Sequence, residues 1–350
     1  MPDNGCFIGW DIGGANLKGC RIEWQYGEIV GQKVVTQPFE MWNAYEALAE
    51  TLREMGGALG LDALTAMAVT MTAELADAFR NKREGVRFVQ EALAKAFPQV
   101  SIYYIDVNAN LILPEAIIDP VDLAATNWLA SVQYLARRRS DFIFMDVGST
   151  TTDIIPVRNG RVAAVGYNDT ERLASGELVY TGVMRSNPNT LAPWIPVLGR
   201  QCRTAAEYFC NMGDVYLLLG RLTTEDYTCG TPDGRAKSPA AAMERLARLV
   251  CADTRQLDAQ QLKRMAGYLA EKQLQVITDA LWQVRSAQPE GDHGPLMSAG
   301  SGDFLAAETG RRAGLQVIAL DQEVGAEAAK AFPCLAVAAL LGMQWAVKAK

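Results

Sequence analysis

Two stretches of this chain carry the same chemistry-bearing pattern. Asp11-Ile-Gly-Gly-Ala-Asn-Leu-Lys18 and Asp146-Val-Gly-Ser-Thr-Thr-Thr-Asp153 both read Asp-x-Gly-(Gly/Ser). Each follows an apolar β-type run, Cys6 to Trp10 and Phe142 to Met145, and each leads into another, Gly19 to Trp24 and Ile154 to Val157. A strand, a tight turn of Gly and small hydroxyl residues, then a second strand presents backbone N–H groups with no side chain in the way, a nest for phosphate oxygens. One Asp-Gly pair is ordinary hairpin punctuation. Its repetition, with flanking strands, a domain's length further on is not.

The turns therefore nominate Gly13, Gly14 and Asn16, and Gly148, Ser149, Thr150 and Thr151, as phosphate ligands. Asp11 and Asp146 stand at the two mouths, where a carboxylate holds Mg²⁺, usually through water, and the metal bridges phosphates. Two such turns facing each other across a cleft would grip one polyphosphate. Lys18 lies two residues past Asn16, so a strand aims it at the same place. Asp153 closes the second turn, and Glu74, Asp77, Asp106 and Glu177 are further carboxylates in the motif-bearing segments. Glu74 and Asp77 lie just past a strand end, where a carboxylate often only caps a helix. Lys82 and Arg83 are a solvated pair as readily as a steering one, and Trp194, set between two prolines, is a core or cleft-lining aromatic.

The rest of the composition excludes more than it nominates. The 350 residues, 49% of them apolar, suffice for two domains with ample core. A net charge of −7 leaves no basic surplus for nucleic acid. Seven cysteines show no C-x-x-C spacing, and the one histidine, His293, sits in a Gly/Asp/Pro loop. That pattern suits a reducing cytoplasm and argues against a zinc site or a Ser–His or Cys–His nucleophile. Cys202 and Cys210, eight apart on an expected helix, read as small buried hydrophobes. No signal peptide opens the chain, and the longest apolar run, Pro333 to Val347, is too short for a membrane span and reads as a buried helix.

What must position the turns is an α/β framework of mixed sheets with helical cover. Three strands in hairpin order (the third Ile29 to Thr36) precede a helix from Asn43 to Met55 that closes at Gly56-Gly57, then strands and helices alternate: Ala66 to Met71, Glu84 to Phe97, Ser101 to Ile105, Leu123 to Arg139. The second half repeats the opening and is richer in helices, at Thr204 to Leu219, Pro239 to Val250 and Asp258 to Ser286. A strand from Leu296 to Ala299 then enters Gly300-Ser301-Gly302 ahead of a helix. Domains over 1–139 and 140–332 follow, with a last helix over 333–350 returning to the first.

These motifs resemble the paired phosphate loops of the actin, sugar-kinase and Hsp70 ATPase superfamily, and Gly300-Ser301-Gly302 resembles its third element, although the usual adjacent glycines are missing. Within it the chain is similar to the hydantoinase A and oxoprolinase group, in the branch linked to tetrahydromethanopterin one-carbon transfer and methanofuran synthesis. Met71-Thr-Ala-Glu-Leu-Ala-Asp-Ala-Phe79, Lys82-Arg-Glu-Gly-Val86, Asp106-Val-Asn108, Asn127-Trp128 and Ser175-Gly-Glu-Leu-Val-Tyr-Thr-Gly182 carry the likeness with the two turns. The resemblance implies a two-domain actin-like, ribonuclease H-like fold with an interdomain cleft. It implies a transferase joining a furan-methyl diphosphate to a tyramine-type phenol and releasing diphosphate. The phenol then needs a base, for which Asp153, Glu74, Asp77, Asp106 and Glu177 are the candidates and Asp153, closing the second turn, is favoured. Its site would draw on Asp11, Lys18, Asp146, Asp153, Glu74, Asp77, Glu177, Gly300, Ser301 and Gly302. The same architecture serves ATP-dependent kinases and amidohydrolases, for which ATP would fill the turns, and nucleotide-binding switches. An oligomer is compatible with either.

Overall fold

The computed structural model describes residues 4–289 and 294–348; His293 lies outside them. Two compact units form: residues 1–142, 157–169 and 320–350 make the first, and 143–156 with 170–319 make the second.

The first unit is built on a six-stranded sheet. Strands β1 (Gly5–Ile12), β2 (Asn16–Gln25), β3 (Glu28–Pro38), β4 (Ala66–Met71), β5 (Ile102–Ile105) and β6 (Leu111–Ile112) run in the order β3-β2-β1-β4-β5-β6. The pairs β3-β2-β1 are antiparallel and β1-β4-β5 parallel, the order expected of a ribonuclease H-like domain. β1 is central because both its faces are apolar, and the alternation of its side chains sends them to two helical layers. Ile8, Trp10 and Ile12 join the core made by helices Leu48–Leu59 and Lys82–Ala96. Phe7 meets Trp345, and Gly9 lies so close to the helix Phe332–Lys348 that a Cβ there would fall 1.9 Å from the Cys334 carbonyl oxygen.

The second unit repeats the order. β7 (Phe142–Val147), β8 (Thr152–Arg158), β10 (Leu178–Val179), the hairpin β11 (Trp194–Val197) and β12 (Arg200–Arg203), β13 (Leu296–Ala299) and β14 (Val317–Ala319), with the short β9 (Arg161–Val162) that falls in residues of the first unit, complete the strands described. The sheet runs β10-β8-β7-β13-β14, with β7, β13 and β14 parallel. Its core is filled by the long helix Ala259–Ser286, started by a capping box in which Asp258 and Gln261 satisfy each other's backbone N–H groups.

Three local expectations are corrected. The helix expected to close at Gly56-Gly57 continues to Leu59 and closes at Gly60, whose φ is +92°. Gly56 is small because the Phe97 ring packs on it, not because the helix ends there. The helix expected from Thr204 starts at Met212, because Asn211 and Asp214 form a capping box. That puts Cys202 on β12 and Cys210 in the preceding loop, fully buried, where burial pushes its thiol up and makes it inert. Trp194 is half-buried on the β11–β12 hairpin beneath the Arg203 guanidinium, 4.0 Å from the ring centre.

Candidate functional site

The two turns share one backbone device. Gly13 N–H donates to the Asn16 carbonyl at 3.0 Å, and Gly148 N–H donates to the Thr151 carbonyl at 2.9 Å. In both, the donor stands two residues after the aspartate and the acceptor five after it, so the sequence rhyme is a rhyme of hydrogen bonding. Between the closed ends of the first turn lie Gly14 and Ala15, and nothing comes within 4 Å of where a Gly14 Cβ would stand. That open space over the backbone is what a phosphate oxygen requires. A Gly13 Cβ would sit 2.7 Å from the Asn16 carbonyl oxygen, so only glycine closes this turn.

Asp11 ends β1 directly opposite Lys18 on β2, and Lys18 Nζ stands 3.7 Å from Asp11 Oδ2. The carboxylate is buried, and the ammonium remains about a quarter exposed. Hairpin register thus places an anion and a cation together at the mouth of the first turn.

The second turn is braced by two loops. Gly300, at φ +89°, lies against Asp146: a Cβ there would fall 2.2 Å from Asp146 Oδ1 and 2.4 Å from the Val147 carbonyl oxygen. Gly302 N–H donates to that carbonyl at 2.8 Å, and Ser301 is carried between them. Gly300 to Gly302 and Asp146 therefore form one assembly, because β13 pairs with β7 in a register that sets Ala299 beside Asp146. On another side, Val183 N–H donates to the Gly148 carbonyl, and the Met184 and Arg185 N–H groups donate to that of Ser149. Gly182 packs on the turn backbone with no room for a Cβ, which would lie 2.5 Å from Gly148 O and Thr150 N. A buried network fixes this brace: Tyr216 Oη donates to Gln273 Oε1, and Gln273 Nε2 donates to Thr181 Oγ1 and the Gly182 carbonyl.

The carboxylates expected to supply a base separate into distinct environments. Asp153 Oδ1 is held at 2.5 Å by Arg172, whose side chain is 2% exposed, and the guanidinium also donates to the Glu177 carbonyl. The favoured base is thus a structural anion clamped by a cation, a partnership between distant positions that no local pattern announces. Glu177 is buried beside it and accepts from Ser175 Oγ. Asp106 accepts the Asn108 and Asn110 N–H groups and the Asn110 amide, so it shapes its own loop. Asp77 is exposed. Glu74 is buried with a carboxyl oxygen that no hydrogen bond uses, and desolvation pushes its carboxyl up to about 7, against the pull of Lys82. Lys82 itself is paired with Asp169 at 2.9 Å. Gly182, Gly85, Arg172 and Asp169 are the parts that sequence reasoning left without a role; of these, Gly182 and Gly85 carried a signal, standing in the Ser175–Gly182 and Lys82–Val86 motifs.

Among the described residues no group of three or more His, Cys, Asp or Glu side chains is placed to hold a metal by itself. No helix there is long and apolar enough to cross a membrane.

A family model described as hydantoinase/oxoprolinase matches residues 65–341. Over 339 residues, 96% of this chain and 98% of the other, the sequence is 34% identical to the (4-{4-[2-(gamma-L-glutamylamino)ethyl]phenoxymethyl}furan-2-yl)methanamine synthase of Methanocaldococcus jannaschii. A Methanococcus vannielii protein of the same name is 38% identical over 117 residues, 33% of this chain and 52% of that one. Two solved structures share the fold at low identity. A nucleotide-free acetone carboxylase has a TM-score of 0.53 at 10% identity, over 96% of this chain and 70% of that one. The PilM–PilN type IV pilus biogenesis complex has a TM-score of 0.50 at 13%, over 96% and 98%. The fold is that of the actin-like ATPases, and the chain belongs to the hydantoinase/oxoprolinase family, in the branch that holds the archaeal synthase.

Proposed function

We propose that this chain is a transferase of methanofuran-type cofactor synthesis, joining a furan-methyl diphosphate to the phenol of a glutamyl-tyramine-type acceptor and releasing diphosphate. The observation that carries this reading is the pair of identically closed turns, each with an aspartate at its mouth. It is supported by the likeness, over nearly the whole chain, to a synthase named for a product with a phenoxymethyl link on a furan.

The chemistry and the residues match in kind. A furan-3-ylmethyl carbon needs little help, because the electron-rich ring stabilises the positive charge that develops as the carbon–oxygen bond breaks. The leaving group carries the demand: its charge must be held, neutralised and kept from water. Backbone N–H groups between the closing bonds, at Gly14–Ala15 in the first turn and Ser149–Thr150 in the second, would receive phosphate oxygens, and Lys18 supplies a positive charge beside the first. Asp11 at the first turn and Asp146 at the second are each a residue that would hold Mg²⁺, a cation that keeps few protein ligands. The ion would contribute charge neutralisation on the diphosphate.

The test is direct. Purified protein with Mg²⁺, a (5-aminomethyl-3-furyl)methyl diphosphate and glutamyl-tyramine should yield the aryl ether and one diphosphate, measured by mass spectrometry and a diphosphate assay. A thermal-shift series with ATP, ADP, diphosphate and the furan diphosphate ranks affinities, since a native-state ligand raises the midpoint. Stabilisation by ATP and none by the furan diphosphate would overturn the reading in favour of an ATP-dependent enzyme.

A further inference from the structure

Of the buried acids that the leaving-group site does not use in the first unit, Asp106 is taken up by its own loop, and Glu74 is not. Glu74 follows β4, whose carboxyl end lies beside that of β1. Both the Thr72 and the Ala73 N–H groups donate to the Ile12 carbonyl, and Thr72 Oγ1 would lie 3.7 Å from a Gly13 Cβ. The segment carrying Glu74 is thereby laid against the first turn. In a sheet with parallel strands, that end of the strands is where ligands bind.

The side chain itself is held ready. Glu74 is 1% exposed, and its Oε2 has no hydrogen-bond partner, while the backbone N–H groups of Glu74 and Ala125 act on the carboxyl. Its main chain cannot shift: the Lys82–Ala96 helix packs on it so closely that a Gly85 Cβ would stand 2.2 Å from the Glu74 carbonyl oxygen. The charged groups that act on it are Lys82 and Asp169, which neutralise each other in an ion pair with each side chain about a quarter exposed. The cover is thin, for Leu75 and Asp77 in the same run of turns are exposed. A buried carboxyl with one unused oxygen, rigidly mounted at the edge of a phosphate turn, has the attributes of a positioned base.

We infer that Glu74 is the general base of the ether-forming step, its Oε2 taking the proton of the acceptor phenol. The inference rests on the transferase reading above. As the phenol oxygen bonds to the furan-methyl carbon, the bond from that carbon to diphosphate breaks and its electron pair leaves with the diphosphate. The phenolic proton passes to Glu74 and then to solvent, so charge and atoms balance without a further reactant. A carboxyl pushed up to about 7 by burial is matched to a phenol far better than an exposed one.

The full-length protein is assayed with the furan diphosphate, Mg²⁺ and tyramine acceptors. Wild type should show kcat rising with pH through an apparent value near 7. Glu74→Gln should lose that limb and about 10²-fold or more of kcat, with the inhibition constant of free diphosphate unchanged. A ring-fluorinated, more acidic tyramine should recover at least about tenfold of the Glu74→Gln rate relative to wild type, because a weaker base suffices. Glu74→Asp, which keeps the charge if the amide variant folds poorly, should retain the limb at a reduced rate. A Glu74→Gln enzyme with wild-type kcat, or one that keeps the acid limb or gains nothing from fluorination, overturns the base while leaving the transferase standing. Wild type that makes no ether from these substrates overturns both.

Discussion

At the residue scale, the carboxylates show how environment divides one functional group among several jobs. Asp11 meets Lys18, Asp146 meets the Gly300 loop, Asp153 is clamped by Arg172, and Glu74 is left dry with a spare oxygen. On the proposed transferase reading, Asp11→Asn and Asp146→Asn should each lower kcat by about 10²-fold or more with melting temperature nearly kept, because each would remove a charge beside a proposed phosphate turn and little packing. Wild-type turnover in either would remove that aspartate from the site. Glu74 carries a separate signature in stability. Its carboxyl is raised from 4.5 to about 7 on folding, so between those values the native state binds the proton more tightly than the unfolded chain. The stabilisation is complete below 4.5 and is lost as pH rises through about 7. Glu74→Gln cannot ionise, so its stability should gain on wild type across that window, by about 3 kcal/mol at most, and stay level above it. Urea melts of both proteins from pH 4.5 to 8 measure the difference, and parallel curves would contradict a dry Glu74.

At the element scale, the turns and the strand ends that carry them were legible in the sequence because they are local. A glycine two residues past an aspartate and an acceptor five past it lie within one short segment, and apolar runs of strand length flank it. Gly182 and Gly300 stood in motifs that the sequence singled out, but that they and Gln273 brace the second turn was not legible, because they reach it from three separate elements and pairing over such distances leaves no periodic trace. The same holds for Arg172 on Asp153. Where local rules compete, the structure chose packing over punctuation, as at Gly56 under Phe97, and capping over apolar periodicity, as at Asn211. Glycine substitutions test the element directly. Gly300→Ala forces a side chain into a positive-φ position and against Asp146 and Val147, and should cost about 1–3 kcal/mol together with most of the activity. Gly14→Ala has open space and ordinary φ, so it should fold like wild type yet weaken diphosphate inhibition by filling the nest. A Gly14→Ala protein with unaltered diphosphate inhibition would argue that phosphate does not approach the first turn there.

At the scale of the whole molecule, the chain order and the folded units do not coincide. The first unit takes in residues 320–350 after the second has been completed, so its sheet waits for the last helix before one face is covered. That helix, Phe332–Lys348, packs on β1, β2 and β4, and Leu335, Val337 and Leu341 are fully buried there. The strand that ends in Asp11 is the one it covers, so the C-terminal segment holds the backbone from which the first turn springs. Gly9 is where this dependence is sharpest. Its absent side chain admits the helix backbone, with Cys334 O and Ala338 N at 1.9 and 2.9 Å from where a Cβ would be. Both contacts are main chain, which cannot rotate away, so relief requires the helix to move as a body. Gly9→Ala should therefore cost about 2 kcal/mol or more and lower the melting temperature by roughly 4–8 °C, although the residue is apolar, small and away from the turn itself. Calorimetry of this variant against wild type measures it, and an unshifted melting temperature would mean that the last helix does not seat on β1.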